Sequence, residues 1–239
     1  MVSENVLINT GNVFAIDELK LKAGRTSDKE LIDALQIVIK DPQKNTTGEN
    51  DISAGGDDRK ELMFTVKIFM PEADPNVLRD ALNQILKVLH TEFIETVILA
   101  YGDFSDSGLR DRKKELQSLQ QLWSVMEEFF NAGKVLSGGV SNVDTTVFMQ
   151  LYEWANVKPT IVQINLLMCC VVPPTLQAFT QEHDIQLLTH NDPNQLLNRN
   201  SVIDIFGANA DLKWVAKYQK IIKCRGVITS MGYLVNISK

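Results

Sequence analysis

Short apolar runs alternate with amphipathic runs along most of the chain, and this alternation constrains the fold more than any other feature. The apolar runs recur at intervals of about 25 to 40 residues, the spacing of repeated strand–helix units. Most are continuously apolar, as a parallel sheet covered on both faces requires. The pattern predicts an α/β fold and fits a closed barrel and an open doubly wound sheet equally well. The candidate strands are Leu62 to Phe69, Thr96 to Ala100, Val135 to Val140, Ile161 to Leu166, Ile185 to Leu188 and Gly226 to Val235.

Three helices are indicated by their start signals and apolar stripes. Ser27 and Glu30 form a capping-box pattern at the start of the first. Pro75 occupies the first position of the second, where its missing N–H costs nothing. The third starts near Lys114 and ends before Gly133. These helices supply the crossover connections that parallel strands need.

Length and composition predict a single domain over residues 1–239. With 44% hydrophobic residues, a chain of this length can bury one sizeable core. The segment from Asp41 to Lys60 has Ile52 as its only large apolar residue, so we expect a mobile loop there. A second charged segment, from Tyr101 to Arg112, is interpreted either as a solvated loop or as a partner surface.

Charge and cysteine content exclude several classes of protein. A net charge of -6 without a basic cluster argues against nucleic-acid binding, which depends on neutralising phosphates. No apolar stretch approaches the ~20 residues that cross a bilayer, and the N-terminus lacks the pattern of a signal peptide. Three cysteines without a framework spacing fit reduced thiols. We therefore expect a cytoplasmic protein that binds neither nucleic acid nor membrane, and we expect no metal because its three histidines are not clustered.

One passage in the middle of the chain resembles the aldo/keto reductase family. A helix ends at Gly133, the strand Lys134 to Val140 leads to Ser141 and Asn142, and the next strand carries Gln163. The resemblance implies a TIM-type (β/α) barrel, shortened or irregular at its N-terminal end. In that family the matching serine, asparagine and glutamine hydrogen-bond the nicotinamide carboxamide. Here they are interpreted either as a remnant of that pocket or as structural groups, with Ser141 or Asn142 capping the next helix.

The catalytic groups of the reductases are largely missing from this chain. The resemblance matches Lys67 to the family's lysine, but Ala100 stands where the family has its histidine. No tyrosine precedes Tyr101, and the positions near the family's tyrosine and aspartate hold Arg25 and Lys20. General acid catalysis requires an acid, so we expect a non-catalytic protein with Lys67 as a vestige and no cofactor.

The C-terminal half resembles the family of glutamate–cysteine ligase regulatory (modifier) subunits. The resemblance is carried by LYEWANVKP, QINLLMCCVVPPTLQAF, DIQLLTHNDPNQLL and KCRGVITSMGYLV, and more weakly by VLINTGNVF near the N-terminus. It implies a heterodimer with the catalytic subunit of that ligase, in which the regulatory subunit improves glutamate use and relieves feedback inhibition by glutathione. An NADP(H)-binding sensor module or a residual reductase is the alternative.

Several further residues are candidates for function, each with a structural alternative. Cys169, Cys170 and Cys224 are candidate redox or intersubunit thiols, although buried free cysteines are common. In the segment from Asp211 to Lys239, three aromatic residues are candidate partner contacts, and an outer helix would explain the first two equally well; they are Trp214, Tyr218 and Tyr233. The run Asn191, Asp192 and Pro193 is typical of a helix cap.

Overall fold

The computed structural model describes residues 5–20, 24–41, 59–101, 111–165 and 171–239. The predicted mobile loop, apart from its ends, lies outside these residues, as do Cys169 and Cys170 and most of the segment from Tyr101 to Arg112. None of the helices within the described ranges has the length and apolarity that crossing a bilayer requires.

Eight strands form one sheet. Six of them agree with the predicted runs to within a few residues at their ends. The first and seventh were not predicted. The strands are β1 (Asn5–Asn9), β2 (Leu62–Met70), β3 (Ile94–Tyr101), β4 (Val135–Ser141), β5 (Ile161–Asn165), β6 (Gln186–His190), β7 (Asp211–Ile222) and β8 (Val227–Ser238).

The helices alternate with the strands as the sequence indicates. All three predicted helices are confirmed, and the helix at Pro75 is capped by Asp74, whose carboxylate accepts from the N–H groups of Asn76 and Val77. The described helices are α1 (Asp17–Lys20), α2 (Ser27–Lys40), α3 (Pro75–Val88), α4 (Arg112–Asn131), α5 (Thr145–Trp154), α6 (Pro174–Glu182) and α7 (Arg199–Phe206), with short 3-10 turns at Val13–Ala15 and Arg59–Glu61.

The strand order is β1-β8-β7-β2-β3-β4-β5-β6. Strands β2 to β6 run parallel and are joined by helical crossovers, as predicted. The prediction of parallel strands is wrong for β8, which pairs antiparallel with β7 and with β1, while β7 pairs antiparallel with β2. The reason is the connection: only four residues separate β7 from β8, and so short a link can join only antiparallel neighbours.

The two faces of the sheet are covered differently. On the outer face, alternate residues of β2, such as Val66 and Ile68, pack against α3, α4, α5 and α6 in the larger core. On the inner face, Phe69, Val215 and Tyr233 pack against α2 and α7 in a second cluster. The rest of the inner face carries polar side chains, which form the candidate site.

The three aromatic side chains predicted as partner contacts lie in the core. Trp214 and Tyr218 belong to β7 and face the outer core, and Tyr233 belongs to β8 and faces the inner cluster. Their exposed fractions are 1%, 0% and 0%. The hypothesis of surface anchors is wrong, because these side chains have almost no exposed surface with which to contact a partner. The alternative of an outer helix for Trp214 and Tyr218 is also wrong, because both lie in a strand. In the same region, Val227 and Ile228 are exposed.

Candidate functional site

A buried carboxylate joins two lysines on the inner face of the sheet. Lys67 of β2 and Lys217 of β7 are register partners, so their ammonium groups stand side by side. Asp192, two residues beyond β6, receives hydrogen bonds from both, at 3.1 Å from Lys67 Nζ and 2.9 Å from Lys217 Nζ. Like charges on directly opposed strand residues repel. Asp192 is therefore the counter-charge of Lys67 that the sequence did not reveal, and it serves a second lysine as well.

The lysines determine the charge state of this carboxylate. Burial of Asp192 acts to raise its pKa, but the charges of Lys217 and Lys67, together with the hydrogen bond from Ser27, outweigh burial and hold the pKa well below its usual range. Lys67 responds in the opposite sense. Burial lowers the pKa of its ammonium group to about 8, although Asp192 opposes the change. Asp192 is thus ionised at neutral pH, and Lys67 is mainly charged.

The predicted capping box at the start of α2 is wrong, although the helix itself is correct. Thr26 is the N-cap residue and makes no side-chain cap bond. Ser27 Oγ instead donates to Asp192 Oδ1 at 2.7 Å, and Glu30 accepts a 2.7 Å hydrogen bond from the hydroxyl of Tyr233. Ser27 and Glu30 therefore bind residues that are distant in sequence, and not the backbone N–H groups of their own helix.

The ring of His190 contacts Ser141 and Asn142, the two residues matched to the nicotinamide pocket. His190, the last residue of β6, accepts at Nδ1 from the backbone N–H of Asp192, so its neutral ring carries the proton on Nε2. Nε2 lies 3.0 Å from Ser141 Oγ and 2.9 Å from Asn142 Oδ1. Burial and then the charge of Lys67 lower the pKa of His190 to about 4, which keeps the ring neutral. The capping role proposed for Ser141 and Asn142 is wrong, because Asp144 caps α5.

The cap predicted at Asn191, Asp192 and Pro193 is also wrong. The next helix, α7, begins only at Arg199 and is capped by Asn198. The side chain of Asp192 is committed to the lysines and Ser27, and its carbonyl oxygen accepts from Asn165 Nδ2 at 2.8 Å. Asp192 therefore acts as a buried counter-charge and not as a helix cap.

Gln163 stands apart from these hydrogen bonds. Its Oε1 is buried, and no donor reaches it among the described residues. Such an acceptor costs about 1–3 kcal/mol when left unsatisfied. It helps line a cavity of about 370 Å³, whose other lining residues are Ser27, Thr65, Lys67, Ile98, Thr189, His190, Asn191, Asp192, Lys217 and Gln219.

Lys67 makes the stability of the protein depend on alkaline pH. Its pKa is about 8 in the fold and 10.5 in the unfolded chain. Between these two pH values the unfolded chain holds more protons, so the free energy of unfolding rises with pH, by about 3 kcal/mol over the window. We expect wild type to gain this amount of unfolding free energy relative to Lys67→Met as the pH rises through the window. Urea denaturation at a series of pH values measures the difference. A difference that stays constant across the window would contradict the shifted pKa.

Comparison with known proteins supports the fold described above and identifies the family of the chain. The sequence profile of the aldo/keto reductase family matches residues 34–193. The glutamate–cysteine ligase regulatory subunit of Homo sapiens is 31% identical over 256 residues, covering 97% of this chain and 92% of that protein. The chain belongs to the aldo/keto reductase family, among its glutamate–cysteine ligase regulatory subunits. A putative regulatory subunit of Schizosaccharomyces pombe is 25% identical over 205 residues, covering 74% of this chain and 71% of its own.

A solved reductase shares the fold of this chain. The aldo/keto reductase of Brucella melitensis superposes with a TM-score of 0.50 at 19% identity, covering 74% of this chain and 70% of the other. The predicted α/β class, of the barrel type found in aldo/keto reductases, is confirmed. The departure from eight parallel strands lies in β7, β8 and β1. Among the described residues, β1 and β6 are the two edges of the sheet and do not pair with each other.

The described residues do not fit the nicotinamide cofactor that the family implies. Ser141 and Asn142 both face the His190 ring, and Asn142 Nδ2 also donates to Asn194 Oδ1 at 3.0 Å. The resemblance places the family's basic run, which binds the 2'-phosphate of the cofactor, between Asn198 and Asp211. Arg199 is the only basic residue there, and its guanidinium donates to the carbonyl oxygen of Ala210 at 2.7 Å. Ser141, Asn142 and Arg199 are thus engaged within the chain, and among the described residues matched to the pocket Gln163 keeps an acceptor without a donor.

The thiols are only partly described. Cys224 lies in the turn between β7 and β8 and is a free, exposed cysteine. In the described ranges, no group of three or more histidine, cysteine, aspartate or glutamate side chains could hold a metal ion.

Proposed function

We propose that this protein is a non-catalytic regulatory subunit of glutamate–cysteine ligase. It binds the catalytic subunit as a heterodimer, improves the use of glutamate and relieves feedback inhibition by glutathione in the cytoplasm. ATP and magnesium are held by the catalytic subunit. The observation that carries the proposal is the similarity to the human regulatory subunit, which extends over 97% of this chain.

Regulation of this kind requires a difference in affinity. A partner shifts the equilibrium between two conformations of an enzyme only by binding one of them more tightly. The proposal therefore requires the regulatory subunit to bind the catalytic subunit best in the conformation that uses glutamate efficiently. Relief of feedback inhibition further requires glutathione to prefer the other conformation, so that the assembled ligase binds it less tightly.

The geometry of Tyr233 argues against residual reductase activity. This tyrosine is the register partner of Lys217, which contacts Asp192, so the three residue types of the reductase mechanism do meet. A proton donor needs a pKa near the working pH and access to its substrate. Burial and the hydrogen bond to Glu30 instead raise the pKa of Tyr233 far above its usual range, and its side chain is fully buried.

The cofactor-sensor alternative makes a different prediction. Because Ser141 and Asn142 face His190, we expect NADPH to produce no saturable change in the fluorescence of the three tryptophans and no heat in a calorimetric titration. Saturable binding that Gln163→Leu weakens but Lys213→Met leaves unchanged would favour the sensor instead, since Lys213 lies outside the cavity and pairs with Asp211.

The function itself is tested with the cognate catalytic subunit. Its ligase rate is measured at low glutamate with glutathione present, with this chain added in increasing amounts. We expect a saturable rise and co-elution of the two chains, whereas the same chain unfolded by heat should do nothing. An unchanged rate with separate elution would overturn the proposal.

A further inference from the structure

The cavity on the inner face carries an excess of positive charge. Among the described residues, its lining includes Lys67 and Lys217 but only one carboxylate, that of Asp192, and the ring of His190 is neutral. Glu30 lies behind Tyr233 and is not part of the lining. The lining therefore has a charge of about +1 at neutral pH when both lysines are protonated.

Lys67 is the main source of unsatisfied donors in this cavity. Its side chain is only 7% exposed, so water can solvate little of the ammonium group. Of its three N–H groups, one is accounted for within the described residues, by the 3.1 Å hydrogen bond to Asp192. A buried cation that shares its only counter-charge with a second cation is stabilised by a further anion.

The lining also presents an acceptor that complements these donors. Gln163 Oε1 is buried and receives no hydrogen bond within the described ranges, and Thr65, Thr189 and Gln219 add further polar groups. The volume of about 370 Å³ is near the lower end of ligand pockets and suits a small molecule.

We propose that this cavity binds a small monocarboxylate that carries a hydroxyl or amino donor next to its carboxylate. The carboxylate accepts hydrogen bonds from Lys67 and Lys217, and the donor group faces Gln163 Oε1. A monoanion matches the charge of the lining, whereas a dianion would leave a buried negative charge uncompensated. The hydrogen bonds that both lysines donate to Asp192 are retained, so the ligand adds to the cluster without displacing any part of it.

This site does not depend on the proposed regulatory role and is tested on the full chain alone. The probes are glycolate, acetate and glycolamide, which have nearly the same size. Glycolate has both the charge and the donor hydroxyl, acetate lacks the donor, and glycolamide lacks the charge. Affinities are measured by calorimetric titration and by the rise in unfolding temperature that binding produces.

We expect glycolate to bind about tenfold more tightly than acetate, and glycolamide not to bind, because charge-assisted hydrogen bonds are the stronger kind. Lys67→Met and Lys217→Met should each weaken glycolate binding by about tenfold or more. Gln163→Leu should bring glycolate down to the affinity of acetate. Lys213→Met is the matched control, because it removes a charge from the same strand at a residue paired with Asp211 outside the cavity.

Circular dichroism of each variant establishes that it is folded. If Lys67→Met does not fold, the outcome for Lys217→Met decides. Failure of glycolate to bind at tens of millimolar would overturn the proposal. So would binding that neither lysine substitution changes, or binding of glycolamide as tight as that of glycolate, since the carboxylate would then play no part.

Discussion

Replacing Asp192 by asparagine is expected to lower the free energy of unfolding by about 3–5 kcal/mol, the cost of leaving a buried charge without its partner. The substitution preserves shape but removes the carboxylate that accepts from both Lys67 and Lys217, which are opposed on neighbouring strands. Lys67 will lose its proton more readily, which limits the loss but does not abolish it. Urea denaturation at neutral pH measures the difference.

Asp211→Asn provides the matched control. Asp211 also contacts two cations, Lys213 at 2.7 Å and Arg199 at 3.7 Å, but its side chain is 56% exposed. An exposed ion pair contributes about 0–1 kcal/mol, so this variant should remain close to wild type. Equal losses for the two variants would mean that the buried cluster holds the sheet no more firmly than a surface pair.

Replacing Trp214 by alanine is expected to cost about 3–5 kcal/mol of stability, the range found for large aromatic side chains removed from cores. Trp214 is 1% exposed and packs on the outer face of β7 within the larger core. Its indole therefore contributes to folding, and any loss of partner binding should follow only from the unfolded fraction. Chemical denaturation gives the stability, and co-elution with the catalytic subunit gives the binding.

Trp154→Ala is the matched control for Trp214→Ala, because it makes the same substitution at an exposed position. Trp154 is the last residue of α5 and is 43% exposed, so its removal should cost less than about 1 kcal/mol. If Trp214→Ala stayed fully folded yet lost the catalytic subunit, the hypothesis of an aromatic anchor would return in place of the packing role.

The parallel half of the fold could be predicted because its signals are local. Strands β2, β3 and β5 are buried along nearly their whole length and therefore appear as apolar runs in the sequence. β7 was missed for the opposite reason. Its residues alternate between the two faces of the sheet, so Lys217 and Gln219, which line the cavity, interrupt the run and it is not continuously apolar. The same alternation explains why the aromatic residues looked available to a partner.

The candidate site was only partly predictable because its contacts join distant positions. Lys67 was recognised as unusual within an apolar strand, but its carboxylate lies 125 positions away, in a run that looks like a helix cap. Ser27 and Glu30 match a capping box, yet their partners are Asp192 and Tyr233, 165 and 203 positions away. Local patterns indicate which side chains are polar and close to an element's end. Local patterns do not indicate which distant group each of these side chains will bind.

The antiparallel edge of the sheet has a consequence for the order of folding. β1 pairs with β8 so that Asn5 lies opposite Ser238, and α2 packs against Tyr233, Val235 and Ile237 of the same strand. During synthesis the N-terminal segments emerge first, but contacts between distant positions form slowly. β1 and α2 are made before β8, so their apolar surfaces stay uncovered until that strand has been made. A translational pause before β8 would lengthen the period in which these surfaces are uncovered.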